Sequence, residues 1–168
     1  MKHKLPFLIS ISCFLLYKLL QYSTGNRYIA LLVFLIPITV LLINMILRKK
    51  LRYKSWFLSK HSFFLEKKSS TFTSAISKEL LFQKLQEVTK SSSFRLVDSN
   101  SKSSELLLTT AANFWTWGEN LYIEIKEGEK ETSLVNVTAV TIYGSYSWNR
   151  NHKNYQHFYE SFQQSLTI

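Results

Sequence analysis

The 168-residue chain is 46% hydrophobic and carries 21 Lys and Arg against 11 Asp and Glu, a formal net charge of +10. Its length admits one ordinary domain, or a smaller one with added helices, and its apolar content excludes an intrinsically disordered chain. Four Gly and two Pro exclude collagen-like sequences, and the lone Cys13 excludes an intramolecular disulfide or a Cys-rich zinc module.

The mean hydropathy of −0.04 averages two unlike parts. Residues 1–60 hold ten basic residues and no acidic one, while residues 61–168 hold eleven of each. A basic excess of this kind suits nucleic acid or an anionic membrane surface.

The first apolar run, Leu5 to Tyr22, contains Lys18 near its end, where a lysine can snorkel to an interface. A signal peptide would need a small-residue cleavage site, and a lipoprotein would need an aliphatic residue where Ser10 stands, three before Cys13. Ser23 to Arg27 reads as a turn. Tyr28 to Leu47 is free of charge, and a helix of that length spans about 30 Å, the thickness of a bilayer core. Residues 1–47 are therefore expected to form a transmembrane hairpin with spans near 5–22 and 28–47. Lys2 and Lys4 before it, and the cluster after it, place both termini and the C-terminal domain on the cytoplasmic side of an inner membrane.

Residues 48–70 are expected to form a basic and aromatic anchor at the membrane surface. Arg48, Lys49, Lys50, Arg52 and Lys54 would meet anionic headgroups while Trp56 and Phe57 sit at the interface. Docking of Phe63 to Leu65 onto the following domain is the competing expectation. Because the second span would hold these cations at the bilayer, nucleic acid is not an expected partner. The bilayer is one, beside a protein partner or a second copy of the chain.

A domain is expected over 71–168. Ser70 to Ile76 reads as a short strand, and Ser77 caps a helix whose Leu81, Leu85 and Val88 recur at helical spacing. Phe94 to Asp98 and Glu105 to Trp117 read as strands. Leu121, Ile123 and Ile125 alternate with polar residues, the turn at 127–129 follows, and Thr132 to Tyr146 runs back antiparallel. Tyr155, Phe158, Tyr159, Phe162 and Leu166 mark a closing amphipathic helix. The order β-α-β-β-β-β-α defines a two-layer α+β domain, an antiparallel sheet of about five strands with both helices on one face.

Catalytic spacing is missing. The four glycines are isolated, so no phosphate-binding or nucleophile-elbow motif exists. His152 and His157 lie on different faces of a helix, Asp98 reads as a turn residue, and Glu124, Glu127, Glu129 and Glu131 crowd a hairpin tip. No metal or cofactor is expected, and no catalytic residue is assigned. An enzyme would need Glu119, His152 and Arg150 to line one cleft.

Two aromatic segments stand out. Trp115-Thr116-Trp117-Gly118-Glu119 ends one strand, and Tyr146-Ser147-Trp148-Asn149-Arg150-Asn151 leads into the last helix. Trp115 and Trp117 share a strand face. Trp148 could join them in an aromatic corner of the core, or the three could line a pocket with Glu119, Asn149 and Arg150 as polar contacts. The W-G-E segment, followed by Y-x-W-N-x-N-x-x-N before a last helix, resembles small uncharacterised α+β domains of bacterial membrane-associated proteins over about 71–166. A glycine and a lysine commonly follow the second tryptophan there, where Asn149 and Arg150 stand here. The resemblance implies an architecture and no activity. The expectation is a membrane-anchored, non-enzymatic binding or scaffold protein; the alternative is a small-molecule or lipid-sensing domain built on the tryptophan corner.

Overall fold

The computed structural model describes residues 14–23, 25–60, 65–111, 118–129, 132–141 and 149–166. The chain divides into two compact units, Met1–Asn44 and Met45–Ile168.

In the first unit, residues 14–23 are helical (α1) and Gly25 turns the chain at φ +61°, a left-handed conformation that costs glycine nothing. Asn26 accepts a hydrogen bond from the Tyr28 amide at 2.9 Å, next to the start of helix α2, Arg27–Leu47. The turn falls where the sequence places it.

The expected two-pass membrane topology is corrected. Among the described residues no helix is long and apolar enough to cross a membrane. The assignment to an inner membrane with cytoplasmic termini is not retained.

The second unit opens with the end of α2, a 3-10 turn Leu51–Tyr53 and the short helix α3, Lys54–Leu58. The order then runs β1 Lys67–Ser74, α4 Lys78–Ser91, β2 Arg95–Asn100, β3 Glu105–Thr109, β4 Glu119–Glu127, β5 Ser133–Thr141 and α5 Arg150–Leu166. All neighbouring strands pair antiparallel in one sheet of order β1-β5-β4-β3-β2. This is an α+β fold with the predicted strand count and sequence of elements.

Strand alternation divides the sheet's side chains between two faces. On one face Phe72, Leu106, Leu108, Leu121, Ile123, Ile125, Val135 and Val137 pack against Leu81, Leu85 and Val88 of α4 and Phe158 and Phe162 of α5. Tyr159 meets the Phe72 ring edge-on at 5.1 Å. Each fully buried Leu, Val or Phe contributes about 1.5–3 kcal/mol, so this face holds most of the domain's core.

The second face is also covered. Leu107, Tyr122 and Val140 lie under Phe57 and Leu65, with Leu47, Leu51, Tyr53 and Leu58 alongside. The expected membrane-surface anchor is thus corrected at Phe57, which is fully buried with its ring 6.3 Å from that of Tyr122. Phe63 and Phe64 lie outside the described residues, but Leu65 docks on the sheet. The strand β1 begins at Lys67, inside the segment read as a linker. Its polar side chains escape hydrophobic patterning because Ser69 bonds Thr138 at 2.9 Å and Thr71 donates to Asn136 at 2.8 Å across the pair.

Candidate functional site

Glu119 opens β4 and shares strand parity with Leu121 and Ile123, so its side chain enters the helix-covered face. It is fully buried. Thr110, just after β3, clasps it: the Glu119 amide donates to Thr110 Oγ1 at 2.9 Å, the Thr110 amide donates to the Glu119 carbonyl at 3.0 Å, and the Thr110 hydroxyl donates to Glu119 Oε2. Arg150, the first residue of α5, brings its Nε to 3.0 Å from Glu119 Oε1. The two charges face each other as an ion pair without an aligned hydrogen bond. The Arg150 side chain remains 32% exposed against 0% for Glu119.

The entry of α5 explains how these residues meet. Asn149 takes φ 65°, a left-handed conformation that asparagine tolerates, and its carbonyl accepts from the Lys153 amide at 3.1 Å to begin the helix. Asn151 is 1% exposed and donates through Nδ2 to the Glu66 carbonyl at 3.1 Å. Glu66 donates its amide to Thr141 Oγ1 at 2.9 Å, and Thr141 pairs with Glu119 across β4 and β5. Asn151 Oδ1, His152 Nδ1 and Asn154 Nδ2 are buried with no hydrogen-bond partner among the described residues.

Of the predicted pocket residues, Glu119 and Arg150 therefore meet, and Asn149 precedes them in the turn. Trp115, Trp117 and Trp148 lie outside the described residues. Thr110 and Asn151 complete the polar cluster and were not assigned from the sequence. The parity of Glu119 with Leu121, Ile123 and Ile125 was the available signal that this carboxylate points inward.

The basic segment is divided among different tasks. Lys54 donates to Glu105 Oε1 at 2.6 Å and lies 3.6 Å from Glu124 Oε2, so its charge is matched by the sheet. Burial alone would push the Glu105 carboxyl up, but hydrogen bonds from Lys54 and Ser103 and the Lys54 charge outweigh it and hold the carboxyl below its ordinary value. Asn120, on the outer face, donates to the Arg48 carbonyl at 3.2 Å and to the Tyr122 hydroxyl at 2.9 Å. Burial raises the Tyr122 phenol well above its ordinary range. Arg52 stacks 4.7 Å from the Tyr53 ring centroid. Lys49, Lys50 and Trp56 stay exposed.

No group of three or more His, Cys, Asp or Glu side chains that could hold a metal ion occurs among the described residues.

The fold and cluster define an antiparallel α+β domain with a buried charged pair at the head of its last helix. No family model matches the chain, and no curated protein does either. Among solved structures, Ara h 8.0201 is similar with a TM-score of 0.46 and 10% identity, over 62% of this chain and 99% of that one. At that level the likeness carries no functional argument.

Proposed function

We propose that residues 45–168 form a non-enzymatic binding module whose site lies at the head of α5, where Arg150 pairs with Glu119 and the buried Asn151 follows. One observation carries the reading: the Glu119 carboxylate is fully buried, yet the side chain of its partner Arg150 is one-third exposed, so an interior carboxylate is tied to a side chain that extends to solvent. Asn151 Oδ1 offers an acceptor and Asn154 Nδ2 a donor, each buried and unpartnered among the described residues, and an unmatched buried group of this kind costs about 1–3 kcal/mol. A ligand head with both a donor and an acceptor would satisfy them. Since Glu119 and Arg150 cancel in charge, that head is neutral.

Trp117 and Trp148 each stand two positions before a member of the ion pair, with Trp115 two further back. We assign the apolar part of the ligand to these three rings, with Asn149 at the rim. The class is a compact neutral molecule with an amide or hydroxyl head on an aromatic or aliphatic body.

Three probes with one ring and different charges test this: benzamide, benzamidine and benzoate, followed by thermal unfolding of the full chain. Benzamide should raise the midpoint most, by the mass-action stabilisation of a ligand that binds only the folded state. Glu119→Gln, checked for folding by circular dichroism, should remove the shift. Three equal shifts, or none, would refute the reading. A Trp148→Ala variant that unfolds assigns that ring to the core instead.

A further inference from the structure

A cleft of about 250 Å³ lies at the β2–β3 end of the sheet. Arg48, Lys49, Arg95, Leu96, Val97 and Thr109 line it. The lining brings together cations from distant parts of the sequence: Arg48 and Lys49 follow α2, whereas Arg95 opens the edge strand and sits opposite Thr109 in the β2–β3 register. No carboxylate is among the described residues that line the cleft.

The nearest acidic residue in sequence is committed elsewhere. Asp98 accepts the Leu51 amide on Oδ2 at 2.8 Å and the Ser99 amide on Oδ1 at 2.9 Å. Glu105 and Glu124 are paired with Lys54. Lys49 and Arg95 have no ion-pair partner among the described residues, so two cations of the lining are open to an anion. Apolar walls from Leu96 and Val97 reduce local screening and strengthen its attraction for an anion.

The position of Arg48 is fixed by the fold. Its carbonyl receives Asn120 Nδ2 at 3.2 Å, and burial pulls its guanidinium pKa down from the ordinary value. Arginine also offers a planar fork that matches phosphate oxygens, with lysine adding a point charge. The volume lies below the 300–1,000 Å³ common for drug-sized ligands, which suits a compact tetrahedral anion with at most a small substituent.

We propose that this cleft binds a phosphate group, held by Lys49 and Arg95, with Arg48 and Thr109 completing its lining. The group arrives either as free phosphate or as the terminal phosphate of a lipid headgroup. This site shares no residue with the Glu119 cluster, so the failure of one leaves the other standing.

Amide NMR of the full chain titrated with inorganic phosphate, against chloride at matched ionic strength, reads the free anion. Co-sedimentation with phosphatidylcholine vesicles, with and without phosphatidic acid, reads the headgroup. The variant is Lys49→Gln/Arg95→Gln, both at exposed positions, and Lys68→Gln at the opposite edge strand serves as the control for lost charge. Saturable shifts at Lys49, Arg95 and Thr109 with phosphate, weakened at least tenfold by the double variant and retained in Lys68→Gln, establish free phosphate. A gain in sedimentation from phosphatidic acid that the double variant loses, without a response to phosphate, establishes the headgroup. Shifts reproduced by chloride, or a double variant that behaves as the parent chain in both assays, overturn the proposal.

Discussion

Arg150 Nε stands 3.0 Å from Glu119 Oε1, joining the first turn of α5 to the first residue of β4. Arg150→Met leaves the buried carboxylate with Thr110 alone. The expected loss is about 2–3 kcal/mol, below the 3–5 kcal/mol of a fully buried pair because Arg150 is partly exposed. Glu119→Gln/Arg150→Met should recover about half of it, since no uncompensated charge then remains. Urea unfolding at an unchanged slope reads both values.

Phe57 is fully buried beneath Tyr122, whereas its neighbour Trp56 is 52% exposed. Phe57→Ala should therefore cost about 3–5 kcal/mol, and Trp56→Ala less than about 0.5 kcal/mol. Equal small effects would return Phe57 to the surface, where its basic neighbours first suggest it belongs.

The Lys54 ion cluster sets an acid dependence. The folded state holds the Glu105 carboxyl below its ordinary value, so its contribution is complete above the unfolded glutamate pKa of about 4.3. It is lost as pH falls through the lower folded value. Lys54→Met should reduce stability by about 1–2 kcal/mol near neutrality and flatten the decline below about pH 5. A parallel decline in both proteins would show that Glu105 gains nothing from Lys54.

Gly128 closes the β4–β5 hairpin by donating its amide to the Thr132 carbonyl at 2.8 Å. A Cβ there would lie 2.6 Å from Thr132 Oγ1 and 3.1 Å from its carbonyl oxygen. Gly128→Ala should cost about 1–2 kcal/mol through displacement of the turn. Retained midpoint in thermal unfolding would mean that the hairpin tip yields freely.

Alternation at Leu121, Ile123 and Ile125 and helical spacing at Tyr155, Phe158 and Phe162 made β4 and α5 legible, because each has one apolar face. The covering of the second face was less legible. Its signal was the unbroken run Leu106-Leu107-Leu108, all fully buried, which a sheet solvated on one side does not need. Phe57 was misplaced because Lys and Arg beside an aromatic suit a headgroup region and a domain surface equally. The approach of Glu119 and Arg150 followed from no local pattern. It depends on the long-range pairing of Glu119 with Thr141 and on the left-handed turn at Asn149, neither of which neighbouring residues specify.

An amide-resolved NMR titration of the full chain with benzamide tests the binding site most directly. Saturable shifts confined to Thr110, Glu119, Arg150, Asn151 and the adjoining tryptophan segments, lost in Glu119→Gln, are the expected result. Shifts scattered over the surface, or centred away from the head of α5 and unaffected by that substitution, would contradict the account.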